Sequence, residues 1–345
     1  MKLRTAMNSL YSASVSLGSR TWRGFRATWR GRGKAGKGAM GEELSERAYA
    51  ITEEDEPGLV ELAAWRAPED PPPTLTGLVR HHEVKPRDAR LPARRLIVWL
   101  PPGYDTPGDT RRYPVLYMHD GQNLMDALTA FARVEWNVDE TAEALVRAGR
   151  VEPVIIVGIY NTGMDRLPEY THTATEKYPD AGRADLYGDF LVNELKPFID
   201  RAYRTRPEGA CTGLAGSSLG GLVSLYLGMK YPDTFTRLGV ISPSVWWDER
   251  DILGRVAALS GPLPLRIWVD MGTQEGDHEE AETVEDAARL HQALLEKGWR
   301  EDDVRYTVYE GAEHTEAAWS ARFAEVLEYL YPARGGSMRA ATSDE

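Results

Sequence analysis

The chain has 345 residues, of which 42% are hydrophobic, 9% aromatic and 27% charged. That composition supports a sizeable core and excludes a collagen-like chain or one disordered throughout. No apolar run approaches the roughly 18–20 residues that span a bilayer. The single cysteine, Cys211, allows no internal disulfide and fits a reducing, cytoplasmic location. Net charge is −12, but residues 1–41 hold nine Lys or Arg and no acid, leaving −21 on the remainder. So acidic a body argues against nucleic-acid binding.

The basic arm, residues 1–41, is rich in Gly, Ser and Arg and is expected to be disordered. It lacks the apolar segment of a secretory signal, and Met40 is a candidate alternative start. Residues 42–75 form an acidic connection ending in Pro71-Pro72-Pro73. Short apolar runs then alternate with amphipathic ones. Strands are predicted at 77–84, 95–100, 114–118, 153–160, 211–216, 238–242, 265–271 and 304–309, and helices at 138–148, 184–201, 219–231, 279–297 and 317–330. Unbroken runs such as Val154-Ile155-Ile156-Val157 suit strands covered on both faces. No helix separates the first two strands, so they pair antiparallel at an edge. The rest alternates strand and helix, the pattern of a mostly parallel sheet. Residues 76–333 are therefore one α/β domain, followed by a disordered tail at 334–345.

Gly216-Ser217-Ser218-Leu219-Gly220 has the form G-x-S-x-G. The pattern gains weight from its setting, between a buried strand and an apolar helix, which is the arrangement of a nucleophile elbow. Ser218 is the predicted nucleophile, and the Leu219 amide, at the helix N-terminus, a predicted oxyanion donor. A serine at its free pKa needs a base. Of the three histidines after Ser218, His291 falls mid-helix and His278 in an acidic cluster. His314 follows the last strand and is the predicted base. The acid should follow the strand at 265–271, where Asp270, Glu275 and Asp277 are candidates. A second oxyanion donor should come from the turn His119-Asp120-Gly121-Gln122-Asn123, with the Gln122 amide favoured. No His or Cys spacing indicates a metal site, and no cofactor is expected.

Several stretches resemble the putative-esterase family of α/β-hydrolases. They are Arg112 to Asn123 (RYPVLYMHDGQN), Glu135 to Glu140 (EWNVDE), Gly158 to Thr162 with Arg166 and Glu169-Tyr170, Gly213 to Gly221, and Ser242 to Trp247 (SPSVWW). The likeness runs from about Thr76 to Pro332 and is nearest in flavour to the siderophore-esterase branch, with feruloyl esterases and S-formylglutathione hydrolases as relatives. It implies an α/β-hydrolase fold without a large cap domain. It also implies a carboxylic-ester hydrolase acting on a small-molecule ester through an acyl-enzyme. Feruloyl-esterase relatives carry the acid three residues after the glycine of a G-T-x-D loop. Gly272-Thr273-Gln274-Glu275 matches that spacing and makes Glu275 the implied acid. Trp136, Arg166, Trp246 and Trp247 are candidates to wall the substrate site. Acyl transfer on the same triad, or ligand binding without catalysis, are the competing readings.

The arm lacks apolar periodicity and precedes the first predicted strand. A chain beginning at Met40 is therefore expected to keep the melting temperature and the ester kcat/KM of the full chain; a large fall in either would show that the arm packs on the body.

Overall fold

The computed structural model describes residues 60–61, 74–276 and 280–333. The basic arm, most of the Pro-rich connection, the C-terminal tail, and Asp277 and His278 lie outside the described residues. Nine strands form one sheet: β1 (Val60–Glu61), β2 (Leu78–Val84), β3 (Arg94–Leu100), β4 (Val115–His119), β5 (Ile155–Ile159), β6 (Thr212–Ser217), β7 (Arg237–Ile241), β8 (Arg266–Gln274) and β9 (Val304–Glu313). Their spatial order is β1-β2-β3-β5-β4-β6-β7-β8-β9. β5, β4, β6, β7, β8 and β9 pair in parallel, while β1, β2 and β3 pair antiparallel at one edge. β4 leads to neighbours on both sides, so the chain's direction of travel reverses there. In open α/β sheets the crevice at such a point, outside the carboxyl ends of the strands, is where ligands bind.

Both faces of the sheet are covered. Alternate residues of β3 and β4, such as Leu96, Val98, Val115 and Tyr117, pack with α3 (Ala184–Phe190), α4 (Lys196–Ala202), α5 (Leu219–Lys230), α6 (Trp247–Ala258) and α7 (Glu280–Glu296). Their sequence neighbours Ile97, Trp99, Leu116 and Met118 pack on the other face with α1 (Val138–Arg147) and α8 (Glu316–Leu330). A single-residue register slip would exchange these two sets, so the two cores fix the register. A π-helical turn at Leu191–Leu195 joins α3 to α4. No helix among the described residues is long and apolar enough to cross a membrane.

The predicted strands and long helices all occur, with four differences, the first being β1, which falls in the stretch expected as an extended connection. Residues 310–313, expected as a loop, extend β9, because a register shift between Gly272 and Gln274 lets Gln274 pair with Glu313. Helix α6 was absent from the pattern; it opens on Asp248, Glu249 and Arg250 at positive φ, which no apolar period signals. The short helix α2 (Arg166–Tyr170) was also missed, since one and a half turns carry no period.

The segment entering β2 is tied to α1 by acids. Thr76 N donates to Asp139 Oδ2 at 2.6 Å, Thr76 Oγ1 donates to Glu140 Oε1 at 3.1 Å, and Thr74 Oγ1 donates to Glu135. Asp139 is fully buried, and burial together with the neighbouring Glu140 carboxylate holds its pKa well above the usual range. A raised carboxyl pKa contributes stability below the unfolded value of about 4, and that contribution is lost as pH rises through the folded value. Asp139→Asn keeps an acceptor for Thr76 without the charge. Its melting temperature should equal or exceed that of the wild type at pH 8–9, with the advantage vanishing at pH 4–5; thermal scans across pH check this, and a wild type that is steadily more stable than the variant at high pH refutes it.

Candidate active site

The carboxyl ends of β4, β6, β7, β8 and β9 carry the predicted site residues. Ser218 follows β6 and opens α5 with φ 59° and ψ −124°, a strained conformation for a residue with a side chain. Its backbone is clamped on both sides. Ser218 N donates to Ile241 O at 3.0 Å, and Ser218 O accepts from Leu222 N at 3.0 Å and Ser244 N at 3.1 Å. The hydroxyl is half-buried, and its recorded partner is Ser244 Oγ at 3.2 Å. Leu219 is the first residue of α5, where backbone amides have no intrahelical acceptor.

His314 and Glu275 meet through sheet register. Gln274 of β8 pairs with Glu313 of β9 in parallel, so the next residue of each strand stands beside the other. His314 Nδ1 lies 2.9 Å from Glu275 Oε2. The imidazole is 42% exposed while the carboxylate is 1% exposed, so the pair points from the interior towards solvent. Trp319 of α8 stands edge-on to the imidazole, with ring centres 4.9 Å apart.

A carboxylate this buried needs partners. Glu275 Oε1 accepts from Ser242 Oγ at 2.7 Å, Gly272 N at 2.7 Å and Arg322 Nη2 at 3.0 Å. Burial pushes its pKa up, but the His314, Ser242 and Arg322 interactions outweigh that and hold it below the usual value. Gly272 is required here: a Cβ would stand 2.3 Å from Ala312 O and 2.7 Å from Glu275 Oε1.

Asp270, a candidate acid from sequence, sits within β8 and is fully buried. Its Oδ2 accepts from Trp268 Nε1 at 2.6 Å, its Oδ1 accepts from Ser242 N at 3.1 Å, and Arg322 lies 3.2 Å away. It faces that buried frame, and His314 pairs with Glu275. Burial, against the pull of Arg322, raises the Asp270 pKa to about 6.

Sequence reasoning missed the frame itself. Ser242, at φ 41°, donates its hydroxyl to Glu275 and accepts from Trp319 Nε1 at 2.9 Å and from Arg322 Nη2. All three hydroxyl sites are thereby used. Arg322, 2% exposed, bridges Asp270 and Glu275. The signal available was the Ser242-Pro243-Ser244 turn directly after β7; Arg322 and Trp319 lie mid-helix and carry none.

On the other side, Gln122 stands in a 3-10 turn, Gly121–Asn123, entered through Asp120 at φ 56°. Gly121 packs directly on β5, where a Cβ would come within 2.5 Å of Gly158 C. Gln122 Oε1 accepts from Asn161 N at 3.2 Å. Arg166 does not stand free: its Nε and Nη2 clamp Asp120 at 2.8 Å each, and Asn161 Nδ2 donates to the same carboxylate at 2.8 Å. Burial pushes Asp120 up, but the Arg166 charge and the hydrogen bonds from Arg166 and Asn161 together outweigh it and lower its pKa. Beneath the turn, His119 is fully buried with Nδ1 3.0 Å from Tyr187 Oη, and burial lowers its pKa to about 3.

The three tryptophans divide. Trp136 is buried against Trp319, at 5.3 Å between ring centres, and Trp247 is buried with Nε1 bonded to Thr173. Neither presents a free face to a ligand. Trp246 is 52% exposed, two residues beyond Ser244. Among the described residues no group of three or more His, Cys, Asp or Glu could hold a metal ion.

The sheet order and the strand–serine–helix elbow define an α/β-hydrolase. The family model described as "Putative esterase" matches residues 92–330, and the chain belongs to that family; it is a carboxylic ester hydrolase. It is 29% identical over 251 residues to Bacillus subtilis (strain 168) YbbA, covering 69% of this chain and 92% of that protein. It is 25% identical over 211 residues to the ferri-bacillibactin esterase BesA of the same organism, covering 55% and 69%. Among solved structures, the BES protein of Bacillus cereus superposes with TM-score 0.59 at 20% identity, covering 77% of this chain and 99% of that one. An IroE-like serine hydrolase of Shewanella oneidensis superposes with TM-score 0.60 at 21% identity, covering 74% and 80%.

Ser242→Ala strands the buried Trp319 donor, at about 1–3 kcal/mol, and loosens Glu275, while Arg322 keeps its two carboxylates. We expect a lower melting temperature and a kcat reduced by up to about a hundredfold, the scale of small misplacements near reacting groups, with little change in KM. Wild-type kcat in a folded variant would show that the hydroxyl is dispensable.

Proposed function

We propose that the chain hydrolyses its ester through an acyl-enzyme on Ser218. His314 Nε2 takes the Ser218 proton as Oγ attacks the carbonyl carbon, and the carbonyl electrons move onto oxygen. The Leu219 and Gln122 amides receive that oxyanion, with the α5 N-terminus adding its dipole. Collapse expels the alcohol, which takes the proton from His314. Water, deprotonated by the same imidazole, then releases the acid and restores Ser218. Glu275 holds the Nδ1–H tautomer and stabilises the imidazolium.

The 2.9 Å contact between His314 Nδ1 and Glu275 Oε2 carries this reading. It presents Nε2 as the basic nitrogen, on the same sheet edge as a serine held in an elbow. Ser218 Oγ meets Ser244 Oγ; in the proposal it turns to the imidazole when substrate binds, in keeping with the looser contacts of catalytic groups before then. The oxyanion turn is set by the Asp120–Arg166 pair, so we assign Arg166 to positioning that turn. BesA and the iron(III) salmochelin esterase of Escherichia coli O6:H1, 29% identical over 209 residues, are named for ester substrates. Ester hydrolysis is what this chain shares with them in the proposal.

Ser218→Ala should lose about 10⁶ in kcat and its labelling by a fluorophosphonate, with melting unchanged; Ser217→Ala should do neither. Glu275→Gln should lose between about 10² and 10⁴, the upper figure being that known for a chymotrypsin-like triad. If Ser217→Ala is the inactive one, or Glu275→Gln runs at wild-type rate, the assignment of that residue fails.

A further inference from the structure

Five large apolar side chains among the described residues stand in solvent: Phe131, Val134, Met164, Trp246 and Val308. Four of them come from the loops after β4, β5 and β7, and each of those loops is bonded to the site. Phe131 N donates to Asn123 Oδ1 at 3.0 Å, next to Gln122, and Asn123 Nδ2 reaches Glu316, two residues after His314, at 3.2 Å. Gly163, beside Met164, donates to Asn161, whose Nδ2 holds Asp120. Trp246 follows Ser244, the partner of Ser218. Its backbone continues into three residues at positive φ, Asp248, Glu249 and Arg250, a conformation disfavoured for residues with a Cβ. Single exposed apolar residues are ordinary, but four on loops that are each bonded to one site are candidates for a surface that a ligand covers.

Most of the arginines on the same side of the sheet are already paired with acids. Arg166 of α2, Arg183, and Arg250 and Arg255 of α6 each hold an aspartate, whereas Arg133 donates to Leu128 O and keeps its charge. Lys177 lies over the Tyr178 ring. Glu313 and Glu316 flank His314. An anionic group arriving here meets the Glu313 and Glu316 carboxylates on either side of His314 in the chain, and the four arginines above already hold aspartates.

Building on the esterase reading above, we propose that Phe131, Val134, Met164 and Trp246 form an apolar lip that selects neutral esters bearing a bulky alkyl or aryl group over anionic esters. Each methylene the lip covers is worth about fourfold in binding.

The test is kcat/KM of the full chain on two neutral series, p-nitrophenyl acetate to octanoate and ethyl to benzyl acetate, and on p-nitrophenyl hemiglutarate against valerate, its neutral equal in length. At least one series should rise by about tenfold or more, and hemiglutarate should trail valerate by about tenfold, since one well-placed group is worth about 10–200-fold. The double variant Phe131→Ala/Trp246→Ala should lower the long-to-short ratio in the rising series by about tenfold, while Val308→Ala, whose exposed side chain lies on β9, leaves the ratio as in wild type. Two flat series, equal rates on hemiglutarate and valerate, or a double variant with the wild-type ratio each overturn the lip. Acetate turnover that vanishes in Ser218→Ala keeps the esterase reading whatever the ratio; its absence from wild type fails that reading and the lip with it.

Discussion

The site rests on one buried charge. Glu275 keeps a carboxylate at 1% exposure, and an isolated ion there would cost several kcal/mol. The fold surrounds it with a guanidinium, a hydroxyl and a backbone amide from three different elements: Arg322 of α8, Ser242 after β7 and Gly272 of β8. Asp270 shares the same guanidinium, so two acids balance one cation. Moving any one of these partners leaves another buried group unpaired. That mutual dependence fixes β7, β8 and α8 relative to His314.

Backbone strain follows the same geography. Asp120 follows β4, Ser218 follows β6 and Ser242 follows β7, and all three take positive φ without being glycine. Each turns the chain sharply at the carboxyl end of a strand, and each is held by hydrogen bonds on both sides of the turn. Strain of this kind persists only where the surroundings over-determine it. Here the Arg166–Asp120 clamp, the Ile241 carbonyl and the Asp270 carboxylate do so. The Gly121–Asn123 turn and the Glu275–His314 pair are thus each braced by partners of their own and joined through Asn123 and Glu316.

Much of this was legible from the residues. Runs such as Val154-Ile155-Ile156-Val157 gave the parallel strands, because burial on both faces leaves no polar alternation. The elbow was readable since glycines around Ser218 sat between a strand and a helix. What escaped was anything decided by register or by long-range partners. The pairing of Gln274 with Glu313 lengthens β9 and brings Glu275 to His314, and no local signal announces a register shift. Arg322 and Trp319 look like ordinary residues of an amphipathic helix. Trp136 and Trp247 read as site aromatics beside Trp246, yet only burial separates them: the first two fill the core and the third stands outside it.

The most direct measurement is the mass of the enzyme quenched within milliseconds of mixing with a slowly deacylated aryl ester. An increment equal to the acyl group, mapped by peptide sequencing to Ser218 and decaying at the turnover rate, is the expected result. Turnover without any adduct, or an adduct on Ser217 or Ser244, contradicts a Ser218 acyl-enzyme.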